Sequence, residues 1–185
     1  MTMPRRFVAL GDSFTEGVGD VDRRLPNNRR GWADRVAEEF ARHDDRTLYA
    51  NLAVRGRRLQ RIVDEQLEPA LALNPTLISF YAGGNDLLMA RLNLGRLMRD
   101  YENAVMRLKA SGATIVLFTD QWLSPIARFA RHVISARTAV PSNWDSNAAI
   151  LAVVEALMAS ATKSLWDLSK ARMEALEMLR KSVPR

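Results

Sequence analysis

Four short apolar runs, each separated from the next by a segment of helical spacing, constrain this chain more than any other feature. The runs are Arg6-Phe7-Val8-Ala9-Leu10, Thr47-Leu48-Tyr49-Ala50-Asn51-Leu52, Thr76-Leu77-Ile78-Ser79-Phe80-Tyr81 and Thr114-Ile115-Val116-Leu117-Phe118-Thr119. The third is almost continuous in bulky residues, as in a strand buried on both faces of a parallel sheet. Between the runs, Trp32, Val36 and Phe40 recur at i, i+4 and i+8. Leu59, Ile62, Val63 and Leu67 mark a second helical face, stopped near Leu73 by Pro75. Leu97, Tyr101, Val105 and Leu108 mark a third, ended by Ser111-Gly112. Strands alternating with helices predict an α/β fold with a parallel sheet and right-handed crossovers. The expected strand order is 2-1-3-4.

Beyond Asp120 the pattern weakens. Pro125 to Arg137 reads as a helix, Pro141-Ser142-Asn143 as a loop, and Asn147 to Ala159 as an alanine-rich helix. Ser164 to Leu168 reads either as a fifth strand or as part of one long helix to Arg180. Residues 1–185 thus form one expected domain, with a core over 1–120 and a divergent, mainly helical part over 121–185.

Bulk properties exclude several classes. No apolar run approaches the roughly 20 residues that span a bilayer. Arg5 and Arg6 precede only four apolar residues, too few for a secretory leader, so the expected location is the cytoplasm. The chain has no cysteine, which excludes disulfides and thiolate metal sites. The net charge of +6 is concentrated in Arg23, Arg24, Arg29, Arg30 and in Arg55, Arg57, Arg58, Arg61. These clusters read as a rim for acidic partners or as solvated surface. The second reading is preferred, and no nucleic-acid partner is expected, because neither a nucleic-acid motif nor interleaved aromatic residues accompany them.

Three stretches stand where loops follow strands: Gly11-Asp12-Ser13-Phe14-Thr15-Glu16-Gly17 after the first, Val54-Arg55-Gly56 after the second, and Ala82-Gly83-Gly84-Asn85-Asp86 after the third. In the order 2-1-3 these strands are neighbours, and ligands in open α/β sheets sit beyond strand carboxyl ends. The three loops therefore converge. A Ser13 hydroxyl attacking an ester carbonyl would create an oxyanion. The backbone N–H groups of Ser13 and Gly56 and the Asn85 amide are suitable donors for it. Asp12 and Asp86 read as acceptors that hold their turns. Glu16, Asp20 and Asp22 read as a solvated acidic loop in preference to a metal site.

Gly11-Asp12-Ser13 with Gly17, the Gly56 that follows Asn-Leu-Ala, and Gly83-Gly84-Asn85-Asp86 resemble the first three sequence blocks of the SGNH hydrolases, the GDSL esterase/lipase superfamily. The resemblance runs from about Phe7 to Thr119. It implies a flavodoxin-like three-layer fold and hydrolysis of small-molecule esters, often acyl or acetyl, with no metal and no cofactor. It also implies Ser13 as nucleophile and Gly56 and Asn85 as oxyanion donors.

The family's last block, Asp-x-x-His, supplies its general base and the acid that orients it, and it is missing from this sequence. The only histidines are His43 and His132. His43 reads as a helix-end surface residue, and His132 as the one possible substitute base. The terminal block reads as lost or replaced, by truncation, a reading-frame change or divergence. Met173, Leu176, Met178 and Leu179 then read as the packing face of a replacement helix. Hydrolysis is therefore expected to be weak or absent. Two alternatives stand beside it: an inactive ligand-binding relative using the same cleft, and a flavodoxin-like mononucleotide binder cradling phosphate at Ser13, Thr15 and Gly17. Asp12 and Glu16 oppose the second by placing negative charge where an anion would sit.

Overall fold

A computed structural model describes residues 4–25, 27–119, 125–136 and 156. Its compact units are two. The first runs to Ile115 and takes in Phe129–Arg131; the second opens at Val116 and contains the chain from His132 onward.

In the first unit, β1 (Arg6–Leu10) is the middle strand of a three-stranded parallel sheet, flanked by β2 (Leu48–Asn51) and β3 (Leu77–Phe80) in the order 2-1-3. Val8 lies opposite Ala50 on one side and Ile78 on the other. A single parallel bridge joins Leu77 to Thr114. Successive side chains of a strand point to opposite faces, and β1 divides its residues accordingly. Val8 and Leu10 pack with Ile62, Leu67, Ala70 and Leu108; Phe7 and Ala9 pack with Ala33 and Ala37, rimmed by Trp32, Val36 and Phe40. Both faces are covered by helices, so the unit is a three-layer α/β/α sandwich, as expected.

Helix α1 (Ser13–Glu16) is a single turn directly after β1, and α2 (Trp32–His43) covers one face. The α2 start is fixed by Asp34, whose carboxylate accepts the Gly31 N–H at 2.8 Å. Helix α3 (Leu59–Ile62) leads into a π-helical turn (Val63–Leu67) and then α4 (Glu68–Ala72). The sequence predicts one uninterrupted helix here. Pro69 explains the widened turn: proline has no N–H to donate, and its ring crowds the carbonyl one turn back. Helix α5 (Gly84–Leu87) follows β3, and α6 (Leu94–Ala110) begins at Asn93, whose Oδ1 accepts the Arg96 N–H at 2.9 Å.

In the second unit, β4 (Val116–Thr119) pairs in parallel with β5 (His132–Ser135), Val116 opposite His132. This corrects the helix expected over 125–137. A 3₁₀ turn occupies Pro125–Phe129 and a strand follows it. The adjacent β-branched pair Val133-Ile134 suits a pleated strand better than a helix. The fifth strand expected at 164–168 and the replacement helix carrying Met173 lie outside the described residues. So does the 147–159 helix, apart from Ala156, which is helical. Among the described residues, no helix is long and apolar enough to cross a membrane.

Gly17 and Gly31 approach so closely that a Cβ at Gly17 would lie 2.7 Å from the Gly31 backbone, with φ +82° at Gly17 itself; at Gly112, φ is +85° and a Cβ would meet nothing within 4 Å. Gly112→Ala should therefore cost only the left-handed penalty, about 1–2 kcal/mol. Gly17→Ala should cost about 1–3 kcal/mol more for the clash. Urea unfolding of the two variants measures the difference. Burial pushes the Tyr101 phenol up from 10.0 to about 12, with Tyr81 adding a smaller charge effect. The folded chain keeps a proton that the unfolded chain releases above about pH 10. Stability should thus fall between about pH 10 and 12, and Tyr101→Phe should flatten that fall in chemical unfolding curves.

Candidate active site

Ser13 opens α1 one residue after its N-cap. Asp12 is that cap: its Oδ1 accepts the Phe14 N–H at 3.1 Å, and its backbone carbonyl accepts the Glu16 N–H at 2.9 Å. Gly17 closes the turn in the left-handed conformation, and the Val18 N–H returns to the Ser13 carbonyl at 3.0 Å. Immediately before the cap, Gly11 has no room for a side chain, since a Cβ would lie 2.5 Å from Thr15 Oγ1. Buried Gln66 clamps the same residue. Its Oε1 accepts the Gly11 N–H at 2.9 Å, and its Nε2 donates to the Gly11 carbonyl at 3.0 Å. The serine turn is thus held from both ends, and Ser13 itself is half-buried.

The second loop is tied to the first. Asn51, last in β2, donates from Nδ2 to the Thr15 carbonyl at 2.9 Å and accepts the Ala53 N–H at 3.1 Å. Val54 N–H reaches the Gly11 carbonyl at 3.2 Å. Gly56 is exposed with φ +72°, and a Cβ there would meet nothing within 4 Å. The requirement for glycine at this position is therefore conformational.

The third loop completes the cluster. Asn85 Nδ2 donates to Asp12 Oδ2 at 3.1 Å and to the Arg57 carbonyl at 2.9 Å. Asp12 precedes Ser13 and Arg57 follows Gly56, so one amide joins the loops beyond β1, β2 and β3. Asp86 Oδ2 accepts the Leu59 N–H at 2.8 Å and caps α3 from outside its own chain segment. Asp12 holds its own turn as expected, whereas the Asp86 carboxylate serves the start of α3 and not the Asn85 loop. Burial, followed by the nearby Asp12 charge, raises the Tyr81 phenol above its ordinary value.

The acidic residues of the first loop are dispersed. Glu16 pairs with Arg29 and Arg55, and Asp22 pairs with Arg24, which holds the Asp22 carboxyl far below the usual carboxylate range. Among the described residues no three His, Cys, Asp or Glu side chains are grouped to hold a metal ion. Much of the basic excess is likewise paired: Arg30 with Glu38, Arg57 and Arg61 with Glu65. His43 ends α2 with Nε2 3.3 Å from Glu39. His132, expected on a helix, belongs to the second unit and opens β5 at an exposed position.

Gln66 and Glu16 carry contacts that the sequence reading did not assign. Gln66 has a legible signal: it falls four residues after Ile62 on an otherwise apolar stripe. A polar residue on such a stripe needs a buried partner. Glu16 has no comparable signal, because Arg29 and Arg55 are distant in sequence.

A serine turn at the carboxyl end of a central parallel strand, joined through an asparagine amide to two neighbouring loops, marks one class of α/β scaffold. The profile of the GDSL-like lipase/acylhydrolase family matches residues 9–171, and the chain belongs to that family. Solved structures share its fold at low identity. AlinE4, an SGNH-hydrolase family esterase, is 16% identical with a TM-score of 0.55, over 89% of this chain and 98% of its own. The psychrotrophic esterase EstA from Pseudoalteromonas sp. is 14% identical at TM-score 0.54, over 87% and 98%. Axe2, an acetylxylan esterase from Geobacillus stearothermophilus, is 18% identical at TM-score 0.52, over 65% of this chain and 62% of its own. The chain spans about three-fifths of the length of Axe2 and of a GDSL-type lipase-like protein from Parabacteroides merdae. No match was found among curated proteins.

Gln66→Leu would leave the Gly11 N–H buried and unpaired, at about 1–3 kcal/mol, while the Gly11 carbonyl would keep the Val54 N–H. The urea midpoint should fall accordingly with an unchanged m-value, whereas Gln66→Glu should restore only the acceptor half.

Proposed function

We propose that this chain is an SGNH-type serine ester hydrolase acting on small acyl or acetyl esters, with turnover limited by the lack of the family's histidine base. In this reading Ser13 Oγ attacks the ester carbonyl carbon. The carbonyl oxygen becomes an oxyanion, held by the N–H groups of Ser13 and Gly56 and by the Asn85 amide. Collapse expels the alcohol and leaves an acyl-Ser13, which water then hydrolyses. The observation that carries the reading is the Asn85 amide, which bonds the residue before Ser13 and the residue after Gly56.

Both Asn85 N–H groups are engaged. Donation to an oxyanion means exchanging one of these bonds, and the one to Asp12 is the longer at 3.1 Å. Deprotonating Ser13 is the weak step. Removing the base from a serine triad costs about 10⁶ in turnover, leaving roughly 10³–10⁴ over water from binding and the oxyanion site. His132 is the histidine that the sequence offers as a substitute base.

The missing base also supports a second reading, a relative that binds esters or glycans in this cleft without turning them over. Mononucleotide binding is the weaker alternative, since the Asp12 carboxylate already caps the α1 N-terminus.

Short-chain aryl ester assays separate these. Slow turnover that Ser13→Ala abolishes, and that Asn85→Ala lowers by about 10²–10³, is the expected result. Further loss in His132→Ala identifies the base. Turnover indifferent to Ser13→Ala refutes the serine mechanism, and a chain that binds esters but resists fluorophosphonate labelling is the inactive binder.

A further inference from the structure

We propose that Glu16 is a positioning residue that fixes the Gly56 N–H relative to Ser13; this rests on the hydrolase reading above. Glu16 ends the single-turn helix that Ser13 begins. Its side chain is only 15% exposed although charged. Oε2 accepts the Arg55 backbone N–H at 2.5 Å, and Oε1 takes Arg29 Nη1, with Arg55 Nη2 farther off at 3.5 Å. The carboxylate therefore joins the nucleophile's own helix to the residue before Gly56. On the other side of Gly56, the Arg57 carbonyl accepts the Asn85 amide at 2.9 Å. Gly56 stands between these two fixed points in a left-handed conformation, with open space beside it.

A glycine in an exposed loop samples many conformations. An oxyanion donor is effective only when its N–H is already aimed where the charge develops. The two clamps resolve that conflict, and Glu16 is the only one of the two whose side chain would not itself touch substrate. Arg29 pairs with the carboxylate, whose spare lone pairs are satisfied.

The experiment compares wild type, Glu16→Ala, Glu16→Gln and Glu38→Gln. Glu38 is a half-buried carboxylate paired with Arg30 and serves as the control for losing an ion pair as such. Hydrolysis of an aryl acetate gives kcat and KM, normalised to sites labelled by a fluorophosphonate. Amide exchange at Arg55 and Gly56, read by NMR, reports the clamp without reference to activity. Glu16→Ala should lower kcat about 10- to 100-fold with KM changed less than about threefold, in line with the cost of a misplacement near 1 Å. Exchange at Arg55 should accelerate at least about tenfold. Glu16→Gln keeps an acceptor for the Arg55 N–H and should recover part of both losses, while Glu38→Gln should match wild type. Unchanged Arg55 exchange in Glu16→Ala overturns the proposal, as does an unchanged kcat per labelled site. Wild-type turnover that survives Ser13→Ala overturns the hydrolase reading instead, and the exchange data then still judge the clamp.

Discussion

The loops of the candidate site meet because one side-chain amide has two donors and finds two acceptors on different segments. Asn85 Nδ2 bonds the carboxylate before Ser13 and the carbonyl after Gly56. Each bond contributes only about 1 kcal/mol net, and with the Asn51, Val54 and Glu16 bonds between the same loops they hold together two segments that share no regular structure. Gln66 does comparable work from beneath, mimicking a strand partner for Gly11 with a side chain. The strands end at Leu10, Asn51 and Phe80. Beyond those points the backbone polar groups need other partners, and amides and carboxylates supply them.

That division explains what was legible in the sequence. The sheet core was readable because Phe7–Leu10 and Leu77–Phe80 are apolar on both faces and the intervening helices keep their spacing. The order 2-1-3 followed from ordinary α/β topology, and Asp12 was readable as a turn holder, whereas the Asp86 contact to Leu59 crosses between loops. The strand His132–Ser135 was not readable as a strand. Three of its four residues are exposed, so no alternation marks it, and Arg128 to Arg131 beside it carry a charge pattern equally suited to a helix. The π-helical turn escaped because the apolar positions on either side of it, Ile62 and Leu67, still satisfy helical spacing. Its trace is Pro69, which only stereochemistry connects to a wider turn.

The contacts of Glu16 escaped for a different reason. Its partners Arg29 and Arg55 lie 13 and 39 positions away, and no periodic pattern relates residues across separate loops. The arginine clusters were visible as composition, and the preference for a surface role was sound for Arg24, whose partner Asp22 is local. Arg29 and Arg55 are different, since their common partner is part of the serine turn.

These arginines bear on how a site with two nearby carboxylates could hold an anion. Bare, Asp12 and Glu16 would oppose negative charge beside Ser13, because Coulomb repulsion strengthens as water is excluded. Neither is bare. Asp12 accepts the Phe14 N–H and the Asn85 amide, and Glu16 is matched by Arg29 and Arg55. The paired Glu16 contributes little net field beside the serine turn. A phosphate reading gains nothing from this arrangement, since Asp12 consumes the Phe14 N–H that a dianion would need. An ester oxyanion asks for less: one charge, held by a few aimed donors, for the lifetime of a tetrahedral intermediate. On the proposed hydrolase reading, a Glu16 carboxylate matched by two arginines and an Asp12 carboxylate held by N–H donors fit that smaller demand.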